Sequence, residues 1–305
     1  MSRIGSDVML LVDVTGELEV IATQRDATFT ENTAAIDVSS KDGRSQRVLA
    51  GRYSAEITMD SLYVYDDDAY EALVEANRTG ELVMVARLQD GMVFGIGEGV
   101  VTSISDRFPD AAESTVSATV VVDQMLDTST TNLVTNPSFE TNTTGWATGG
   151  GNVITRDNAE ARFGSWALEC DYQDNATLAS FAITLTEERH TLSVDIFIPA
   201  SYDGASIQVF FAGFAGDSDN IEGDANMAIR DRWQRVFAFT TPDGADLSGT
   251  VNVENIGAAP TAGEVIYIDG VQVEALPYAT PYCDGDQGPG HEWAGAAHAS
   301  TSTRI

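Results

Sequence analysis

The chain has 305 residues, 43% of them apolar, which is enough for two domains with separate cores and excludes a mainly disordered protein. Its 47 acidic and 16 basic residues give a net charge of −31, which argues against strong binding to nucleic-acid phosphates. No stretch has the apolar length of a membrane span, and residues 1–7 lack the apolar core of a signal peptide. We therefore expect no membrane insertion and folding in the cytoplasm of the producing cell.

The acidic excess is spread along the chain. Residues 1–131 carry a net charge of −14 and residues 132–305 carry −17, and Lys41 is the only lysine. A solvated acidic surface with almost no lysine is typical of a protein adapted to high salt, which screens the self-repulsion. A GC-rich genome would also replace lysine by arginine, but it does not require so much acid.

The first part of the chain, residues 1–127, has the pattern of a small β domain. Apolar runs and alternation predict strands at 9–14, 16–22, 26–31, 34–38 and 52–65. Residues 39–50 begin with a polar stretch between strand patterns, which predicts a long hairpin arm, the alternative being a simple surface loop.

One helix is predicted in this domain, at residues 66–80. Aspartates suit its amino-terminal end, apolar residues follow helical spacing, and Gly80 ends it. The aspartate triplet at 66–68 fits a helix cap and a solvated face better than a metal site. Strands return at 82–88, 92–96, 97–105 and 115–122, so the fold class is mostly β: a β-sandwich or barrel with one flanking helix.

The order of these segments resembles a known family. Ala-Thr-Gln-Arg-Asp-Ala-Thr-Phe-Thr at 22–30, Ile-Asp-Val-Ser-Ser-Lys-Asp-Gly at 36–43 and a strand containing Tyr53 come first. Asp-Ser-Leu-Tyr-Val at 60–64, Asp-Ala-Tyr-Glu-Ala-Leu at 68–73 and Gly-Glu-Gly-Val-Val-Thr-Ser-Ile-Ser at 97–105 follow. Over residues 7–126 the sequence is similar to the major tail protein, or tail tube protein, of long-tailed viruses (siphoviruses).

This resemblance implies a structural virion protein, assembled in the host cytoplasm and located in the tail. Six copies would form a ring by joining their sheets, and the rings would stack into a tube through which double-stranded DNA passes without specific binding. The implied partners are further copies of the chain, the tape measure protein, and the tail terminator and baseplate proteins. The arm would contact a neighbouring ring through Ser39, Lys41, Arg44 and Arg47.

A second pattern begins after Asp-Thr-Ser-Thr-Thr at 127–131, so we predict a linker at 128–131. Short alternating strands with turns rich in Gly, Asp and Asn predict an antiparallel jelly-roll sandwich over 132–278. Asn-Pro-Ser-Phe-Glu at 136–140 and Tyr-Ile-Asp-Gly-Val at 267–271 resemble the two ends of a galactose-binding-like carbohydrate-binding module. The module would decorate the outside of the tube, with host glycans as possible partners.

The carbohydrate-module resemblance suggests two kinds of ligand. A structural calcium ion would be held by Glu140 and Asp269, the alternative being that both carboxylates accept ordinary turn hydrogen bonds. A glycan would stack on exposed rings, for which Trp146 and Tyr172 are the candidates. No other cofactor is expected.

The last segment, residues 279–305, is predicted to be an extension and resembles an ending common in phage minor tail and receptor-binding proteins. His291 and His298 lie in it without a nucleophile or third ligand nearby in sequence, so we expect them to hydrogen-bond. Cys170 and Cys283 lack metal-type spacing, and two buried free thiols are favoured over a disulfide.

Neither part contains a recognisable catalytic group, so we expect no enzyme. The leading hypothesis is a major tail tube subunit carrying a surface jelly roll. The alternative is a minor tail or baseplate adhesin that binds host-surface carbohydrate. An accessory module of an extracellular enzyme is a third possibility, disfavoured because no signal peptide or catalytic domain is recognised.

The charge analysis makes a direct prediction. If the acidic surface is an adaptation to high salt, the melting temperature of the purified protein should rise steeply between low and molar salt, because screening removes repulsion in the folded state. Calorimetry at a series of KCl concentrations measures this, and a flat response would favour the genomic explanation.

Overall fold

We describe a computed structural model of the chain. It describes residues 8–14, 17–21, 23–37, 48–64, 66–89, 91–110, 112–122, 126–127, 129–214, 220–243 and 246–304. The chain divides between Thr128 and Ser129 into two compact units, unit 1 and unit 2. The mostly β class is confirmed, and within the described residues no helix has the length and apolarity to cross a membrane.

The elements of unit 1 are β1 (Val8–Val14), β2 (Glu17–Val20), β3 (Gln24–Asp37), β4 (Val48–Leu62), α1 (Asp68–Thr79), β5 (Leu82–Gln89), β6 (Met92–Arg107), β7 (Thr115–Val122) and β8 (Leu126–Asp127). The strands form one antiparallel sheet in the order β2-β1-β5-β6-β7-β4-β3, with β8 beside β6. Residues 92–96 and 97–105, expected as separate strands, form the one long strand β6.

Helix α1 forms where the sequence predicts it. Asp67 is its N-cap, and its side chain accepts a hydrogen bond from the Tyr70 backbone N–H at 3.1 Å. Gly80 ends the helix in the left-handed conformation, with φ of 74°. The aspartate triplet therefore supplies a helix cap, as expected from the sequence.

The sheet of unit 1 curls around a core that α1 completes. Leu73 of the helix packs with Val85 and Val120 of the sheet, and all three are fully buried. The curl brings β3 to β1, where the Leu10 backbone N–H donates to Gln24 Oε1 at 2.9 Å. The sheet is therefore nearly a barrel, with α1 on one face.

The strands of unit 2 are β9 (Thr130–Asn132), β10 (Trp146–Ala147), β11 (Val153–Asp157), β12 (Ala167–Asp171), β13 (Thr177–Thr184), β14 (His190–Phe197), β15 (Ser206–Ala212), β16 (Gly223–Asp224), β17 (Trp233–Thr240), β18 (Ser248–Ile256), β19 (Val265–Glu274), β20 (His291–Trp293) and β21 (Ser302–Arg304). Two five-stranded antiparallel sheets pack face to face, in the orders β10-β13-β18-β15-β16 and β11-β12-β19-β14-β17. Alternating apolar side chains fill the space between them.

The ends of unit 2 differ from the expected linker and extension. Thr130–Asn132 is a strand that pairs with β21, and β21 pairs with β20, so both ends form one small sheet. Asn132 is fully buried and its Nδ2 donates to the carbonyl oxygens of Val271 and Cys283 at 2.9 and 3.2 Å. These bonds tie the first strand of the unit to β19 and to the last segment of the chain.

A buried carboxylate strengthens the same junction. Glu274 is fully buried and accepts hydrogen bonds from the hydroxyls of Thr130 and Thr280 at 2.8 and 2.6 Å, and from the Gln272 amide. Burying a carboxylate is costly unless its oxygens are hydrogen-bonded. The final segment is thus a structural part of unit 2.

The predicted histidine contacts are only partly observed. His298 Nε2 lies 3.0 Å from Asp286 Oδ2, and its ring lies 5.0 Å from that of Trp293, centroid to centroid. His291 pairs with Arg304 across the β20–β21 ladder, but its Nδ1 is buried with no hydrogen-bond partner among the described residues.

The two cysteines are free and buried, as favoured from the sequence. Burial raises the pKa of both thiols, that of Cys283 to about 11. A thiol with such a pKa is almost entirely protonated at neutral pH, and the thiolate is the reactive form.

We therefore expect neither cysteine to react with iodoacetamide at pH 7.5 in the folded protein, and both to react in urea without reductant. Mass spectrometry after alkylation counts the modified thiols. Rapid labelling of the folded protein would contradict the burial, and two unlabelled cysteines in urea would indicate a disulfide.

Candidate functional site

The β3–β4 hairpin extends beyond the rest of the sheet. β4 pairs with β3 as far as Val48 opposite Asp37, but its pairing with β7 ends at Ala55 opposite Val122. Among the residues that the structure describes, residues 48–54 of β4 therefore pair with β3 and with no other strand, which corresponds to about 23 Å of strand. We call this part of the hairpin, with its connecting segment 38–47, the arm.

The predicted arm residues Ser39, Lys41, Arg44 and Arg47 lie outside the described residues. The strands that lead to them are well defined by their pairing, and the described side chains on these strands are mainly exposed. The sequence prediction of a long hairpin is thus supported by the strands on both sides of the segment.

A row of apolar side chains crosses the face of the sheet opposite α1. Leu82, Val100 and Val121 are neighbours on β5, β6 and β7, and 61%, 41% and 40% of their surfaces are exposed. Met84 and Ile96 extend the surface and line the same shallow groove. Contiguous exposed apolar groups of this kind mark a surface suited to contact another molecule.

The two rings predicted to stack on a sugar lie in the core of unit 2. Trp146 is 9% exposed, its ring lies between those of Phe139 and Phe181 at 5.2 and 5.3 Å, and its Nε1 donates to the Asn136 carbonyl at 3.0 Å. Tyr172 is 8% exposed and belongs to the same core. Neither ring offers a free face, so this expectation is corrected: both residues are structural.

The two predicted calcium ligands are brought to one loop, residues 162–166. Glu140 Oε1 accepts hydrogen bonds from the backbone N–H groups of Ser165 and Trp166, both at 2.9 Å. Asp269 Oδ2 accepts from those of Arg162 and Phe163, both at 2.8 Å. The two carboxylates therefore accept turn hydrogen bonds, which was the alternative to calcium binding.

This arrangement does not fit a calcium ion. The N–H groups point at the oxygens that a cation would need, and calcium binds six to eight oxygen ligands. Within the described ranges, no three His, Cys, Asp or Glu side chains are grouped to hold a metal. Both carboxylates instead fix the loop.

The one close pair of buried carboxylates in this region is also structural. Asp195 and Asp269 are cross-strand partners on β14 and β19, and Arg235 pairs with Asp195. Burial raises the pKa of Asp269 to about 8, and its backbone hydrogen bonds act in the opposite direction. Because both side chains are almost fully buried, neither can reach a substrate.

A polar surface that the sequence analysis missed lies on the outer face of the β10-β13-β18-β15-β16 sheet. Phe210 is half-buried there, opposite Asn252, and Gln208 lies opposite Glu254. Thr177 Oγ1 donates to Glu254 Oε1 at 2.7 Å, which holds the carboxylate in place. The sequence feature that could have revealed this surface is the Phe210-Phe211 pair. Because Phe211 is in the core, strand alternation directs Phe210 outward.

Residues 3–124 match the family model described as phage tail tube protein. The matched region corresponds to unit 1 and agrees with the resemblance found in its sequence. A comparison with curated proteins gave no match.

Solved structures similar to the chain fall into two groups. One is the tail of an empty gene transfer agent (GTA) particle, refined with C6 symmetry, at 22% identity and TM-score 0.39, covering 42% of this chain and 99% of that one. The SPP1 tail tube follows, at 15% identity and TM-score 0.35, covering 41% and 78%. The other group includes the CBM22-1 xylan-binding domain of Paenibacillus barcinonensis Xyn10C, at 16% identity and TM-score 0.35, covering 50% and 94%.

Proposed function

We propose that this protein is the subunit of a phage-type tail tube, in which unit 1 forms the tube wall and unit 2 decorates its outside. The observation that carries the proposal is the match of residues 3–124 to the phage tail tube family. In the tail, six copies would form a ring and the rings would stack. The tape measure, tail terminator and baseplate proteins would be its other partners.

The strand pairing of unit 1 supports a self-assembling subunit. The sheet ends in β2 on one side and in the 14-residue β3 on the other, and within the described part of unit 1 each forms a strand ladder with a single neighbour. A long free edge favours uncontrolled pairing with other chains unless a neighbour covers it. A closed ring of identical copies covers every edge with the same contact.

The charge of unit 1 suits a conduit for DNA. A net charge of −14 on residues 1–131 repels phosphates, so DNA would pass without binding to the wall. No basic groove is needed for this function, since the tube guides DNA by its shape.

Electron microscopy tests the proposal. We expect negatively stained, purified protein to form tubes of stacked rings, and deletion of residues 39–50 to abolish the tubes because the arm is shortened. The deletion leaves β4 paired with β7, so the melting transition should remain cooperative. The deletion variant's thermal melt is the folding control.

Two outcomes would contradict this account. Normal tubes from the deletion variant would refute the role of the arm. Wild-type protein that remains monomeric or trimeric at high concentration, and binds glycans, would favour the adhesin alternative over the tube.

A second candidate function is glycan binding by unit 2. The outer sheet face combines one aromatic ring, Phe210, with the polar side chains of Gln208 and Glu254, and all three are partly exposed. Sugars are bound by such combinations, because the ring packs on the apolar face of a pyranose while amides and carboxylates bond its hydroxyls. The face replaces Trp146 and Tyr172 as the candidate glycan surface.

A glycan array followed by titration calorimetry tests this function. We expect Phe210→Ala to weaken binding of the best array ligand at least about tenfold, or ~1.4 kcal/mol. Phe108→Ala removes an exposed ring of unit 1 and is the matched control, expected to bind normally. An array without signal would leave unit 2 as a purely structural decoration.

A further inference from the structure

A groove runs along α1 on the outside of unit 1. It has a volume of about 990 Å³ and lies between the helix, the last part of β6 and the residue that follows β4. Three rings line it: Tyr63 and Phe108 are in edge contact at 5.0 Å, and Tyr63 contacts Tyr70 at 6.1 Å. Phe108 is the most exposed of the three rings, at 61%. We call this feature the α1 groove.

The rim of the α1 groove is acidic. Five carboxylates line it and one cation, Arg78, partly balances them. The carboxylates are those of Glu19, Asp68, Glu71, Glu75 and Asp106.

The interactions among the described residues of unit 1 leave most of this negative charge uncompensated. Asp106 accepts a hydrogen bond from the Tyr70 hydroxyl at 2.5 Å. Glu71 and Glu75 are exposed one helical turn apart, where like charges repel. The groove therefore favours an occupant that carries positive charge and can stack on an aromatic ring. Arginine has both properties.

The chain itself contains such a segment. Residues 38–47 hold Lys41, Arg44 and Arg47, three of the 16 basic residues, with Asp42 as the only acidic one. This is a net charge of +2 within ten residues of a chain with net charge −31. Residues 226–235 of unit 2 have the same net charge, but the segment 38–47 lies in the same unit as the acidic aromatic groove.

The segment cannot reach the groove of its own copy. It leaves β4 at Val48, whereas Tyr63 of the groove directly follows the other end of β4 at Leu62. Fifteen residues of strand separate these points by roughly 50 Å. Half of a ten-residue segment spans at most ~18 Å. Only another copy can supply the segment.

We propose that the α1 groove is the receptor for the basic segment 38–47 of a second copy of this chain. Lys41, Arg44 and Arg47 pair with the carboxylates of Glu71 and Glu75 and their neighbours, and an arginine stacks on Phe108. The proposal deepens the proposed function, since it names the receptor of the arm. Partly buried charge pairs and ring stacking are less sensitive to screening than exposed pairs, so the contact tolerates salt.

A charge exchange tests the proposal in assembled protein. Lys41→Glu/Arg44→Glu/Arg47→Glu and Glu71→Lys/Glu75→Lys should each abolish tube stacking in electron micrographs, and their combination should restore it. The charge-change controls are Arg232→Glu, exposed in unit 2, and Glu81→Lys, exposed after α1, which should assemble normally. Tubes from both groove and arm variants would overturn the proposal while leaving the tube function intact.

A binding experiment keeps the proposal testable if the wild type forms no tubes. A fluorescent peptide of residues 36–49 is titrated into full-length Lys41→Glu/Arg44→Glu/Arg47→Glu protein, whose own arms cannot compete. We expect saturable binding, weakened at least tenfold by Glu71→Lys/Glu75→Lys or by Phe108→Ala. A peptide with glutamine at the three basic positions is the control. Equal binding by both peptides, or none by either, would refute the receptor; failure of tube formation alone would refute only the proposed function.

Discussion

The geometry of unit 1 depends on one strand, β4, which pairs with β3 along nearly its whole length and with β7 along only part of it. Near Leu62 it is fixed between β3 and β7, with Ile57 and Met59 buried in the core. Near Val48 its only partner among the described strands is β3. One strand therefore anchors the arm in the most stable part of the sheet and carries it past the sheet's edge. A hairpin without this anchor would be only marginally stable in water.

Sequence reasoning recovered most of unit 1 because its signals are local. The alternation of Ala55, Ile57 and Met59 predicted a half-buried strand, and the Asp67 and Gly80 positions predicted the helix ends. The continuity of β6 was missed, since two strands were expected at 92–96 and 97–105. The small size of Gly99 is needed within this strand: a side chain there would meet the Val121 carbonyl at 2.7 Å, on the neighbouring strand.

The candidate ligand residues of unit 2 could not be predicted, because their roles depend on what lies on either side of them. The sequence shows that Trp146 has a ring, but Phe181, which covers it, is 35 residues away. Glu140 and Asp269 were correctly associated, yet only their shared loop shows that they bind N–H groups. The final segment looked like an extension because the partner of β21, Thr130–Asn132, lies at the opposite end of the unit's sequence.

The buried polar groups around Glu274 and Asn132 link the two ends of unit 2. Buried hydrogen bonds from Thr130 and Asn132 join its first strand, β9, to its central strand, β19. Its last strand, β21, is tied to the same region by Ser302, whose hydroxyl donates to the Cys283 carbonyl. Groups buried in this way are costly to leave unpaired. Loss of Thr130–Asn132 would therefore remove a hydroxyl donor from the buried Glu274 carboxylate and the strand that pairs with β21.

The positions of the arm and the α1 groove at opposite ends of β4 give any stack of these subunits a direction. One end of the stack shows unfilled grooves and the other shows unengaged arms, so the two ends are chemically different surfaces. A protein that closes the first end must offer positive charge, and one that closes the second must offer negative charge. A stack of identical subunits is therefore polar, with two different ends.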